Sequence, residues 1–225
     1  MTKAMIELND VAFGYGDEFS LAVPKLQVNR GEKVACIGPS GTGKTTLINL
    51  MTGILQPDQG EVRLDGVDIQ KLGEDARRRI RIQTVGMVFQ QFELLEYLSA
   101  LENILLPYHL NPALKLDAAA KARARKIAQD MGISRILNRK PRQLSQGERQ
   151  RVAISRALVT EPALLIADEP TGNLDPENSD TILDLLFAPC EERGATLLVV
   201  THDHGLLPRF DRVIDIMAMA EVAQA

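Results

Sequence analysis

Residues 38–45 read Gly-Pro-Ser-Gly-Thr-Gly-Lys-Thr and satisfy the pattern G-x-x-x-x-G-K-[ST] at every position. The loop stands between an apolar run, 34–38, with the character of a buried strand, and a helix-forming run, 45–51. A strand that feeds a glycine loop and opens a helix commits the chain to an α/β core of the P-loop NTPase kind. Glycines let successive backbone N–H groups converge on an anion with no Cβ in the way. Lys44 adds a positive charge toward the outer phosphates, and the helix start adds its dipole. The Thr45 hydroxyl is suited to ligate Mg2+ carried by ATP. The candidate cradle is Gly38, Pro39, Ser40, Gly41, Thr42, Gly43, Lys44, Thr45 and Thr46.

Two further apolar runs, 164–168 and 196–201, have the unbroken hydrophobicity of strands covered on both faces. One ends in Asp168-Glu169 and the other in Thr201-His202-Asp203. Ligands of open α/β sheets sit beyond the carboxyl ends of parallel strands, so these two ends and Gly38 are expected around one site. The stretches 6–23 and 61–64, the second following the turn Pro57-Asp58-Gln59-Gly60, predict additional antiparallel strands. Another strand is expected over 212–217.

From about 92 to 141 the character changes. Residues 117–131 are rich in Ala, Lys and Arg, with Gly132 as a stop, which predicts a helical subdomain inserted into the core. With no internal repeat and no low-complexity linker, residues 1–225 read as one domain. The expected fold class is α/β, with a mainly parallel sheet, an N-terminal antiparallel β subdomain and the inserted α-helical subdomain.

A net charge of −4 does not favour a nucleic-acid partner. No apolar run approaches the length of a membrane span, and the first ten residues lack the apolar core of a signal peptide. Any membrane role is therefore expected to come through a partner. The two cysteines, Cys36 and Cys190, have no zinc-site spacing; Cys36 reads as a small buried hydrophobe, and a reducing cytoplasm fits.

Two other features carry chemistry. In a phosphate-loop enzyme, the first carboxylate at the acidic strand end, Asp168, belongs near the metal. The second, Glu169, acts on the attacking water as general base or as the group that orients it. The segment Leu144-Ser145-Gln146-Gly147-Glu148 begins an apolar-periodic helix with a capping box, Ser145-x-x-Glu148. By itself that is a well-made helix start. It also presents a hydroxyl, a glycine and a helix dipole, which together can hold an anion.

The order of these motifs resembles the ATPase subunits of ATP-binding-cassette (ABC) transporters across nearly the whole chain. Tyr15 resembles the family's adenine-stacking aromatic, Gln90 its Q-loop glutamine and residues 144–148 its signature. Asn173-Leu174-Asp175 resembles the D-loop and His202 the switch histidine. The resemblance implies a head-to-tail homodimer around two ATP, each resting on one subunit's phosphate loop and on Ser145 and Gly147 of the other. It also implies that Gln90 contacts Mg2+ or the water, that His202 holds the γ-phosphate and that Asp175 links the two sites. The signature departs from the usual Leu-Ser-Gly-Gly-Gln, since Gln146 and Glu148 replace a glycine and the glutamine.

Residues 169–175 and the short length look most like the subgroup serving lipoprotein release, macrolide-type export and the cell-division permease complex. That likeness implies a cytoplasmic subunit, peripheral on the inner face of the membrane, docked to an integral permease through apolar groups in 92–106. A subunit that moves a membrane protein without transporting anything has the same catalytic parts and is an open alternative. ABC ATPases acting on DNA or ribosomes usually carry paired cassettes, coiled coils or zinc modules, none of which appears here.

Overall fold

The computed structural model describes residues 3–16, 19–171 and 176–224. In chain order its elements are β1 (Ala4–Tyr15), β2 (Phe19–Asn29), β3 (Lys33–Ile37), α1 (Lys44–Met51), β4 (Gln59–Leu64), β5 (Val67–Asp68), α2 (Glu74–Thr84) and β6 (Val85–Val88). Then follow α3 (Ala100–Leu110), α4 (Ala118–Asp130), α5 (Gln146–Leu158), β7 (Leu164–Asp168), α6 (Pro176–Arg193), β8 (Thr196–Val200), β9 (Arg212–Asp215), α7 (Ile216–Met219) and β10 (Glu221–Gln224).

Two five-stranded sheets organise these elements, one in the order β10-β2-β1-β4-β5 and the other β6-β7-β8-β3-β9. Every pairing is antiparallel in the first sheet and parallel in the second. The inner parallel strands β7 and β8 are almost wholly apolar because both of their faces are covered, whereas the edge strand β9 exposes Arg212, Val213 and Asp215. Leu164 and Ile166 of β7 and Leu198 and Val200 of β8 point into a core shared with α1 and the antiparallel sheet. Their alternates, Leu165, Ala167, Leu197 and Val199, point into a second core built with α3, α4, α5 and α6. Side chains of a strand alternate between faces, so one short run serves both cores.

The expected helical insertion is present as α3 and α4, followed by short 3-10 turns at Ser134–Ile136 and Pro141–Gln143. Helix α4 buries Ala120, Ala124 and Ala128, a stripe at i, i+4 and i+8 whose small side chains let it pack closely. Asp117 caps its start, accepting a hydrogen bond from the Ala120 amide at 2.9 Å, and Gly132 with φ +69 ends it.

Near the C-terminus the chain departs from expectation. The strand foreseen over 212–217 stops at Asp215, whose carboxylate accepts from the Met217 amide at 2.9 Å and starts α7. An aspartate that bonds the amide two residues on favours a helix start over a continuing strand. The chain then returns as β10, antiparallel to β2 with Glu221 opposite Ala22 and Gln224 opposite Phe19. Among the described residues, no helix is long and apolar enough to cross a membrane.

Candidate functional site

The carboxyl ends of β3, β7 and β8 lie side by side, because β8 pairs with both β3 and β7. The loop after β3 turns at Gly43, which has φ +86 and sits at the N-cap of α1. That conformation favours glycine, and a Cβ there would stand 2.7 Å from the ring Cζ of Phe19 and push that ring aside. The Lys44 ammonium folds back over the loop, donating to the carbonyls of Gly38 at 2.7 Å and Pro39 at 2.8 Å. Thr42, buried, closes the turn by donating from its hydroxyl to the Pro39 carbonyl at 2.8 Å.

Across from the loop, the Thr45 hydroxyl donates to Oδ2 of Asp168 at 3.2 Å. Burial is the main influence on Asp168 and holds its carboxyl above the ordinary carboxylate range. The Thr45 hydrogen bond and Lys44 oppose that rise, while Glu169 adds to it. Glu169 follows in a left-handed conformation, φ +49, with its amide donating to the Val200 carbonyl at 2.9 Å. Non-glycine residues seldom adopt this region, and such strain concentrates where a side chain must be aimed. Its Oε2 lies 2.7 Å from Nδ1 of His202. The end of β8 is fixed in turn by the Thr201 amide on the Cys36 carbonyl (3.1 Å) and by the Asp203 amide on the Thr201 hydroxyl (3.0 Å). Cys36, behind the loop, has its thiol pushed up to about 12, chiefly by burial, and is the inert core residue its setting implied.

A cleft of about 370 Å³ is lined by Tyr15, Phe19, Ser40, Gly41, Gly43, Lys44, Thr45, Thr46, Gln90, Asp168 and Glu169, and His202 meets it only through its contact with Glu169. Tyr15, half exposed, stands edge-on to Phe13 with ring centroids 4.8 Å apart, and Phe19 leans on it at 5.9 Å. Phe19 is the lining residue that sequence reasoning missed. Its signal is the hairpin register, which sets it directly opposite Tyr15.

Ser145 and Gly147 do not line this cleft. Ser145 is exposed at the start of α5, where its hydroxyl accepts from the Glu148 amide at 3.2 Å and Glu148 Oε2 accepts from the Ser145 amide at 2.7 Å. Glu148 therefore completes the capping box, as its position in the sequence implied. Space around Gly147 is open. Asp175, with Asn173 and Leu174, lies outside the described residues.

A match to the ABC transporter family model spans residues 21–172, more than half of the chain and inclusive of the phosphate loop, Gln90, Ser145 and the acidic strand end. The chain belongs to the ABC transporter ATP-binding family. A lipoprotein-releasing system ATP-binding protein, LolD 2, of Caulobacter vibrioides is 47% identical over 189 residues, covering 84% of this chain and 82% of that protein. LolD of Geobacter metallireducens is 42% identical over 216 residues, covering 94% and 95%. The uncharacterized ABC transporter ATP-binding protein YbbA of Escherichia coli K12 is 44% identical over 192 residues, covering 84% and 82%. Among solved structures, the dimeric post-hydrolysis state of the ATP-binding cassette MJ0796 bound to ADP and Pi superimposes with a TM-score of 0.83 at 36% identity, covering 94% of both chains. The ABC fold expected from the motifs is thus the observed one, and the chain is an ATPase of the ABC type.

Proposed function

We propose that this ABC ATPase powers an integral permease of the lipoprotein-releasing kind, working as a head-to-tail homodimer around two ATP. The carrying observation is the convergence of Lys44, the Thr45–Asp168 pair and Glu169 on one cleft at the ends of parallel strands, with His202 bonded to Glu169. Support for the subgroup comes from the relatives named for lipoprotein release, which match along most of their length.

In this reading the loop amides and Lys44 hold the phosphates, and the Tyr15–Phe19 wall stacks against adenine. The cleft suits Mg2+: Asp168 and Thr45 supply hard oxygen donors in contact, and the raised proton affinity of Asp168 marks a carboxylate that a cation would relieve. Gln90 is the third candidate ligand. When bound, the cation neutralises phosphate charge. Glu169 Oε2 takes the proton of the attacking water or orients that water, while Nδ1 of His202 keeps the carboxylate aimed. Ser145, exposed at the start of α5, and Gly147, with open space around it, contact the γ-phosphate of the other subunit through hydroxyl and helix N-terminus. Asp175 joins the two sites.

The surface we assign to the permease begins within the expected stretch 92–106 and extends beyond it. Of the apolar groups in 92–106, Leu94 and Leu101 pack on the core, and Leu106 lines an apolar groove of about 290 Å³ that continues through Pro107, Leu110, Phe89, Met87 and Ile82. That groove, edged by Arg81 and Glu93, fits a short amphipathic helix of the permease. The test is isolation of the subunit from its native membrane, followed by reconstitution in vesicles loaded with a lipoprotein. A stoichiometric integral partner and ATP-dependent lipoprotein release are expected. Bound rRNA or DNA in place of a membrane protein would overturn the reading, and turnover without release would refute its substrate.

A further inference from the structure

The turn Phe89-Gln90-Gln91-Phe92-Glu93 is a partition between two cavities. Gln90 lines the nucleotide cleft, whereas Phe89 and Glu93 line the apolar groove. The chain passes through two successive left-handed residues there, Phe92 with φ +61 and Glu93 with φ +47. The turn's own bonds are the Phe92 amide on the Phe89 carbonyl at 3.0 Å and the Glu93 amide on the Gln91 carbonyl at 2.7 Å. Neither left-handed residue is glycine or asparagine, so this conformation must be held from outside.

Arg156 supplies the hold. It lies in the last turn of α5, the helix that Ser145 begins, and is buried at 8% exposure. Its Nη2 donates to the Phe92 carbonyl at 2.6 Å and its Nη1 to the Glu93 carbonyl at 2.5 Å. One planar fork therefore grips the two carbonyls of the two strained residues. Burial lowers its pKa, with Glu93 opposing, so the site carries the desolvation cost of a charge. An apolar side chain of similar volume would fill the space at lower cost, and packing alone does not account for a guanidinium here.

We propose that Arg156 is a positioning residue for hydrolysis: its fork fixes the left-handed turn at Phe92–Glu93 and thereby holds Gln90 in the nucleotide cleft. The inference rests on the reading of Gln90 as a contact to the phosphate-bound cation or the water. Because Arg156 also lines the apolar groove, an occupant of the groove touches the clamp itself. Gln90 is thus held by the helix whose other end carries the signature serine.

The experiment is a double-mutant cycle in steady-state ATP hydrolysis. Arg156→Lys keeps the charge and loses the fork; it should lower kcat about tenfold while leaving KM for ATP within about twofold, as misplacement of one catalytic group does. In a Gln90→Ala background the same substitution should change kcat by less than about twofold, since its effect has already been removed. Multiplicative losses, or wild-type kcat in Arg156→Lys, overturn the proposal. Glu93→Pro is the second variant, because proline cannot adopt positive φ and the buried arginine stays intact. It should reproduce the kcat loss and the same insensitivity in the Gln90→Ala background, and unchanged turnover in Glu93→Pro also overturns the proposal. Wild-type turnover in Gln90→Ala itself would instead refute the underlying reading of Gln90.

Discussion

Replacing Glu169 by Gln separates the chemistry of the strand end from its architecture. The amide has the volume of the carboxylate and can keep a hydrogen bond to Nδ1 of His202, now 2.7 Å from Oε2. The amide proton of residue 169 still reaches the Val200 carbonyl, and the left-handed backbone suits glutamine no worse than glutamate. His202 has a side chain 69% exposed, so solvent screens this pair and its loss weakens folding by at most about 1 kcal/mol. Removing a general base costs roughly 10²–10⁴ in rate, or about 2.7–5.4 kcal/mol of barrier. The catalytic term wins by several-fold. Glu169→Gln should therefore melt near the wild type, lose at least a hundredfold in phosphate release at saturating ATP and accumulate as an ATP-bound dimer in size-exclusion chromatography. Turnover within threefold of wild type at an unchanged melting temperature would refute the assignment of Glu169 to the water.

Ser145→Arg should leave nucleotide binding by the isolated subunit within about twofold and abolish hydrolysis that rises with protein concentration, measured by nucleotide titration and by phosphate release across a dilution series. A helix with its cap removed also loses roughly 1 kcal/mol, so a modest fall in melting temperature accompanies the effect. Asp168→Asn should do the opposite to stability. The Asp168 carboxyl, raised chiefly by burial, binds its proton more tightly when folded, so wild-type stability is lost as pH climbs from the ordinary 3.8 through the raised folded value. In chelator and without nucleotide, Asp168→Asn should melt higher than wild type at neutral pH, the gap closing below the ordinary value, while hydrolysis is abolished. A gap independent of pH would show that burial of the charge is not its source.

The grouping of the candidate residues around one cleft is largely legible in the sequence because its parts are local. A strand, a glycine loop and a helix follow one another at 34–51, and the acidic end of β7 terminates its own apolar run. Ser145 and Glu148 find each other within one helical turn. What escaped depends on distant segments. Phe19 joins the cleft only through the hairpin register that sets it against Tyr15, and Arg156 meaningfully meets Phe92 and Glu93 only after α5 packs beside the turn. Helix α2 buries none of its residues fully and brings only Ile80 and Ile82 to apolar surroundings, too few for periodicity to detect. The C-terminal strand is shorter than its apolar run implies because the Asp215 side-chain bond to the Met217 amide outweighs the β propensity of Ile216, which follows it.

Strand β10 has a practical bearing on anyone handling this subunit. Its backbone pairing runs alongside β2 as far as Phe19, and Phe19 braces both Tyr15 and the phosphate loop at Gly43. An affinity handle fused behind residue 224, or a trimming of 221–224 to aid crystallisation, pulls on the wall against which the base is expected to rest. A weakened nucleotide affinity in such a preparation reports on the cloning strategy rather than on the enzyme.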